Sequence, residues 1–212
     1  MWEKYHLNTG ALLKRLEKPR GVVDVVIDTD TYNEIDDQFA LAYLLKSDEK
    51  LRLQAIYAAP FFNHHSKSPE DGMEKSFEEI HKVLGLLKKE EYKKVVFKGS
   101  RTYLQNEKEA VESSAARNLV KLALERDDND PLYVIAIGAI TNIASAILME
   151  PSIIRKIVVI WLGGNALDWH DNKEFNALQD VAAARVIFEC GVPLVLLPCM
   201  GVVSSFTTTG PE

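Results

Sequence analysis

The chain has 212 residues and a formal net charge of −6, with 47% apolar and 26% charged residues. That length can bury a sizeable core, and that balance excludes a disordered or fibrous chain. The acidic charge and the absence of a basic stripe exclude nucleic acid and anionic membrane as expected partners, and leave a neutral small molecule or a bound cation.

Residues 1–20 hold no long apolar run and carry Glu3, Lys4, Lys14, Arg15, Glu17 and Lys18. They read as an amphipathic lead-in packed on the body rather than a secretory leader. No window reaches membrane-spanning length, so a cytoplasmic location is expected. From Gly21 onward, apolar runs alternate with helical patterns. Val22–Ile27 reads as a buried strand, Asp37–Leu45 as a helix and Leu53–Ala59 as a second strand. Glu70–Leu87 is helical, with apolar positions at Met73, Phe77, Ile80, Val83, Leu84 and Leu87. The pairs Lys88-Lys89 and Lys93-Lys94, interleaved with Glu90 and Glu91, read as a solvated helix end. Lys94–Phe97 is a short strand, Ala110–Glu125 a helix, and Asp127–Pro131 a break. The strands Leu132–Ile137, Ile157–Leu162 and Leu194–Leu197 follow, with helices Thr141–Met149 and Val181–Glu189 between them. This alternation predicts an α/β fold, a mostly parallel open sheet covered by helices on both faces, over residues 21–212. Cys190 and Cys199 sit in apolar stretches and read as small buried hydrophobes, as suits a reducing compartment.

Ligands of such sheets bind beyond the carboxyl ends of the strands. The first strand runs into Asp28-Thr29-Asp30-Thr31-Tyr32-Asn33-Glu34-Ile35-Asp36-Asp37, which places five carboxylates within ten residues. Like charges this close raise one another's pKa unless a cation or hydrogen-bond donors offset them, and a hard divalent cation with oxygen ligands does so directly. The plainer reading is a solvated turn whose acids favour a helix start. Asp28-Thr29-Asp30 also resembles the Asp-x-Asp of haloacid-dehalogenase-type phosphatases. That class needs a second acidic pair at a strand end, and Asp127-Asp128 precede a strand instead.

A wider set of segments is similar to the inosine-uridine-preferring nucleoside hydrolase family. Asp28-Thr29-Asp30 followed by Asp36-Asp37 resembles its first acidic loop, and Gly138-Ala139-Ile140-Thr141-Asn142-Ile143-Ala144 its Gly-x-x-Thr-Asn segment. Trp161-Leu162-Gly163-Gly164, then Glu174-Phe175-Asn176 with Asp180-Val181-Ala182-Ala183, then Gly191-Val192-Pro193-Leu194, follow in the family's order. The resemblance runs from about residue 22 to the end and implies a nucleoside hydrolase-like, Rossmann-like core. It implies hydrolysis of a ribonucleoside, purine or pyrimidine, to ribose and a free base as part of base salvage, by a dimer or tetramer.

The resemblance also assigns residues. Asp30, Asp37 and the backbone carbonyl of Ile137 would bind Ca²⁺, with Asp28 as the alternative to Asp30. Asp30 would take a proton from the attacking water. Asp36, Asn63, Glu174 and Asn176 would meet ribose hydroxyls. Thr141 and Asn142 either cap a helix or serve the site. His64 is a candidate contact to the base, whereas His65 reads as a solvent-exposed loop residue and His81 as a helix-face residue. Trp169 and His170 line the base pocket or pack their loop down.

Three departures qualify the resemblance. Five residues, Thr31 to Ile35, stand where the family has a shorter spacer commonly including Pro-Gly, which brings in Asn33 or Glu34 as further ligands. The Asn165–Lys173 loop is short, and Asn165, Asp168 and Asn172 are the candidates for a missing ribose contact. After Gly201 there is only a polar tail, where family members supply another metal-binding Asp and a His that protonates the leaving base. A fragment or a shortened member is therefore expected, and with it a protein that binds a nucleoside or ribose without turning it over.

Overall fold

The computed structural model describes residues 2–207. Strands Val23–Thr29 (β1), Leu51–Ala58 (β2), Val96–Lys98 (β3), Leu132–Ala136 (β4), Ile157–Leu162 (β5) and Leu194–Leu197 (β6) form one sheet in the order β3-β2-β1-β4-β5-β6. Every neighbouring pair is parallel, with one register shift between Val25 and Val26. The helices are Thr9–Leu16 (α1), Ile35–Lys46 (α2), Pro69–Leu86 (α3), Ser114–Leu124 (α4), Thr141–Met149 (α5), Phe175–Gln179 (α6) and Val181–Glu189 (α7).

Successive strand side chains point to opposite faces, so each strand feeds two cores. Val25, Ile27, Leu53 and Ile56 pack with Leu41, Leu44 and Leu45 of α2 and Met73, Ile80 and Leu84 of α3. Val26, Tyr57, Val134, Val159 and Trp161 pack with α4, α5 and α7 on the other face. The β-branched runs of β1, β4 and β5 are the sequence imprint of burial on both sides. Helix starts are set by short polar side chains. Ser68 accepts from the Asp71 N–H at 3.1 Å ahead of Pro69, and Ser113 accepts from the Ala116 N–H at 3.0 Å.

Most boundaries agree with the expectation to within two residues; α4 does not. It starts at Ser114 rather than Ala110, because Ser113 caps it and the Val111 N–H is taken by Ser145 Oγ at 3.2 Å, which holds residues 110–112 out of the helix. α6 is a helix the periodicity does not reveal. Residues 90–95 form a short 3₁₀ turn just past α3. The lead-in touches the body through Trp2 and Tyr5, while α1 itself buries no side chain. Val203–Ser205 is a single 3₁₀ turn, and the remainder of the expected polar tail, residues 208–212, lies outside the described residues. No helix among the described residues is long and apolar enough to cross a membrane.

Chain order reverses between β1 and β4: from β1 the sheet grows one way through β2 and β3, and the other way through β4, β5 and β6. The loops after β1 and β4 therefore diverge to opposite faces and leave a crevice between them.

Candidate functional site

The acidic loop falls at this crevice. Asp28 lies within β1, Asp30 just past its end, and Asp37 in the first turn of α2; all three are buried, with side chains or backbone nowhere more than 6% exposed. Thr29 Oγ1 donates to Asp37 Oδ1 and lies 2.8 Å from Thr31 Oγ1, which ties the helix start to the strand end. Asn142, at the start of α5, donates through Nδ2 to Asp28 Oδ1 at 2.7 Å. The second oxygens of Asp28 and Asp30 have no hydrogen-bond partner.

Opposite Asp30 stands the end of β4. A Cβ on Gly138 would lie 3.1 Å from Asp30 Oδ1, a tight approach that would press the carboxylate away by a few tenths of an ångström. The carbonyl of Ile137, immediately before it, accepts from Asn176 Nδ2 at 3.2 Å, and the same amide donates to the Leu162 carbonyl at 3.0 Å. Asn176 thus bridges the ends of β4 and β5. Glu174 accepts three backbone N–H groups: Asn176 at 2.9 Å, Ala177 at 2.9 Å and Gly164 at 2.7 Å. It caps α6 and clamps the Gly163-Gly164 turn, which leaves about one of a carboxylate's four acceptor positions open. Asn63 is half-buried and donates to Asn33 Oδ1 at 2.6 Å, while Asn33 N–H donates to the Asp30 carbonyl at 2.6 Å. The lengthened loop is thereby folded back on itself and fastened to the turn after β2.

Asp36 is exposed at the rim, where its carboxylate accepts from the Asp37 N–H at 3.1 Å. Asp168 is exposed in the turn between β5 and α6, and none of the described contacts ties it to the acid cluster. Asn165 is spent on that turn, with Nδ2 donating to the Asp171 carbonyl at 3.1 Å and Oδ1 accepting from the Met200 N–H at 3.3 Å. Thr141 and Asn142 do not cap α5, whose first residue follows an Ile140 with no side-chain cap bond. Thr141 donates to Asp180 at 2.7 Å, and Asn142 ties β1 to the loop after β3. The rings of His64 and His65 lie 3.8 Å apart and are exposed, and His81 packs edge-on to Phe77. Trp169 N–H donates to the Ala166 carbonyl at 2.9 Å within its own turn. Asp127 and Asp128 lie at the amino end of β4, far in topology from the acid loop, and Asp128 pairs with Lys156 at 3.1 Å. The cysteines are unpaired; Cys190 is buried as expected and Cys199 only partly so.

The electrostatics of the two ends of β1 differ. At the amino end, burial opposes ionisation of Asp24, but hydrogen bonds and charge from Arg52 and Arg126 outweigh it and lower its pKa; Arg126 Nη1 is 2.6 Å away. At the carboxyl end no cationic side chain plays that part. Burial pushes Asp28 up to about 7 despite the Asn142 hydrogen bond. Burial, then repulsion from Asp37, holds Asp30 well above the usual carboxylate range. Burial, then repulsion from Asp36, Glu34 and Asp28, pushes Asp37 up to about 8 against the Thr29 hydrogen bond. Three buried carboxyls with two unpaired oxygens between them, at the end of the sheet where strand order reverses, have the chemistry that suits a hard divalent cation, which takes oxygen ligands. Among the described residues no three His, Cys, Asp or Glu side chains are placed to hold a metal ion by themselves.

A pH dependence follows. The ordinary value for these groups is 3.8, and the folded values of Asp28 and Asp37 are about 7 and about 8. Between these limits the native state binds more protons than the unfolded chain, so stability declines as pH rises. The contribution of these groups to the melting temperature in chelator is expected to be largest at the acid end of that window and to fall steadily towards about pH 8, because the raised carboxyls must then ionise or hold protons at a cost. Added Ca²⁺ should oppose that fall, since it favours the ionised forms. A flat profile in chelator would contradict the electrostatics described here.

Comparison with known proteins agrees with this architecture. The family model for inosine-uridine preferring nucleoside hydrolase matches residues 25–209. A pyrimidine-specific ribonucleoside hydrolase of Escherichia coli (strain K12 / DH10B) is 38% identical over 89 residues, 41% of this chain and 28% of that relative. Among solved structures, a plant nucleoside hydrolase superposes with a TM-score of 0.63 at 23% identity, covering 85% of this chain and 60% of that one. A purine-preferring ribonucleoside hydrolase from Gardnerella vaginalis gives a TM-score of 0.63 at 22% identity, covering 82% of this chain and 60% of that one. The chain therefore spans less than two thirds of each of these relatives. With the family model matched over most of its length and the acidic loop at the switch point of the expected sheet, the chain belongs to the inosine-uridine preferring nucleoside hydrolase family.

Proposed function

We propose that this site hydrolyses the N-glycosidic bond of ribonucleosides to ribose and free base, with Ca²⁺ held by Asp30, Asp37 and the Ile137 carbonyl. The observation that carries the reading is the set of buried, unneutralised carboxyls at the β1/β4 crevice, with Asp30 against Gly138 and Ile137 just beside it. A hard divalent cation held there lowers the pKa of water that it touches and so supplies a nucleophile near neutral pH.

The protein's own groups do the rest. Asp30 takes a proton from the attacking water. Asp36 at the rim and Asn63 beside the acid loop accept or donate to ribose hydroxyls, with Asn176 on the far wall and Glu174 holding it in place. Asp168 lies on the turn above and reaches the sugar only if that turn closes. Cleavage of the bond to the base leaves positive charge on the ribose, and fixed carboxylates around the crevice stabilise it as it develops. The names of the relatives divide between pyrimidine and purine, so the first assay uses both.

The test is release of reducing sugar from a mixture of purine and pyrimidine ribonucleosides with Ca²⁺ present. Release by the wild-type chain that vanishes in Asp37→Ala supports the proposal. Nucleoside binding by a folded sample without ribose release would favour a binding protein. Cleavage of a phosphate ester without nucleoside cleavage would favour the phosphatase chemistry.

A further inference from the structure

α6 carries two amides on one face: Asn176 and, one turn on, Gln179. Gln179 Oε1 accepts from the Phe62 N–H at 2.6 Å and from the Tyr103 hydroxyl at 2.5 Å. Its Nε2 is buried without a partner. Turning the amide over would set N–H groups against the Phe62 N–H, so the orientation is dictated by the oxygen. An unpaired buried donor is costly, and it persists here because the acceptor on the same group is needed.

That oxygen gathers three segments: the turn after β2, the loop after β3, and α6. The turn after β2 carries Asn63, one residue beyond Phe62; its Nδ2 donates to Asn33 Oδ1 of the acid loop at 2.6 Å, while within the turn its N–H donates to Ser66 Oγ at 3.3 Å, its Oδ1 accepts from the His65 N–H at 2.9 Å and its carbonyl accepts from the Ser66 N–H at 3.1 Å. Ser66 Oγ closes the turn internally by donating to the Phe61 carbonyl at 3.0 Å. The site lies close by: Asp30 is among the charges that raise the Tyr103 pKa, after burial.

We propose that Gln179 is a positioning residue, which fixes the Phe62–Asn63 turn so that the Asn63 amide stands at the ribose side of the site. The proposal rests on the nucleoside hydrolase reading for its kinetic consequence, and on the hydrogen bonds alone for its structural one. Among the described residues Gln179 makes no hydrogen bond to Asp30 or Asp37; its proposed route to the site is the turn, and a route through α6 and Asn176 would give additive losses instead.

The test compares wild type, Gln179→Met, Asn63→Ala and the double variant, by ribose release with Ca²⁺ and by hydrogen exchange over residues 59–66. Gln179→Met is expected to speed exchange in that segment, to leave β4 unchanged, and to lower kcat/KM roughly tenfold. The double variant should be no worse than Asn63→Ala, because both losses act through one group. Tyr103→Phe removes one hydroxyl from the same oxygen and should give the same pattern at smaller amplitude, which keeps the test available if Gln179→Met does not fold. Additive kinetic losses, or unchanged exchange over 59–66, would overturn the proposal. If the wild type releases no ribose, the activity reading has failed, and the exchange result still decides whether Gln179 holds the turn.

Discussion

Asp30→Asn is expected to lower ribose release by about 10³-fold or more and, at the same time, to raise the melting temperature of the cation-free protein at pH 8. The two effects have one cause. Asp30 is 1% exposed, has one oxygen without a partner, and is repelled by Asp37. An amide of the same shape removes the charge that water cannot reach to solvate, and with it the proton uptake that weakens the native state as pH rises. On the proposed assignment, the same change also removes a cation ligand and the base that would accept the water's proton. Ca²⁺ should then shift the melting temperature far less than in wild type. Turnover above about 1% of wild type would move the base to another residue. A lower melting temperature at pH 8 without cation would mean that the carboxyl is stabilised by something other than a metal.

Asn142→Ala is the largest stability loss expected outside the acid cluster. Asn142 Oδ1 accepts from Ser100 N–H at 2.8 Å and Ser100 Oγ at 3.0 Å, while Nδ2 donates to Asp28 at 2.7 Å. Removing the side chain strands a buried N–H and leaves the Asp28 carboxyl with no donor, and it opens a void beside Gly99, whose Cβ position already abuts the Asn142 amide. Together these should cost about 3 kcal/mol, or roughly 10 °C in melting temperature for a chain of this size. Thermal unfolding measures it directly. A loss under about 0.5 kcal/mol would show that water replaces the amide. The Asp28 carboxyl should also become harder to ionise, so the penalty should grow with pH.

These two residues mark what was readable in the chain and what was not. The order of elements, the parallel sheet and the acidic loop at its carboxyl edge follow from local patterns: apolar runs between helical periods, and five carboxylates directly after β1. The Asp28–Asp37 cluster is legible because the loop is contiguous in sequence, whereas the roles given to Asp30 and Asp37 are what the family resemblance implies. The role of Asn142 could not. A Thr-Asn pair ahead of a helix has the composition of a cap, and only the packing of α5 between β1 and the loop after β3 turned those side chains towards Asp180, Asp28 and Ser100. The resemblance implies a sugar contact for Glu174, but its three backbone partners depend on the Gly163-Gly164 turn and α6, which no local pattern reveals. α6 itself, five residues long, is too short to show a helical period, and Gln179 has no local signal at all.

The sequence by itself determined which residues are buried, which faces are apolar and where charge is concentrated, because these depend on composition and spacing along a few turns of chain. The tertiary structure decided which polar groups are neutralised and which are left unpaired. That distinction separates Asp24, held by Arg52 and Arg126, from Asp28 and Asp30, each with an oxygen facing nothing. All three are aspartates on β1 or just past it, Asp24 at the amino end and Asp28 and Asp30 at the carboxyl end, and they are indistinguishable by type. Their partners come from residues about 30 to 110 positions away, brought together by the reversal of strand order at β1, and the energy of a buried charge depends on the partner that distance in sequence cannot supply.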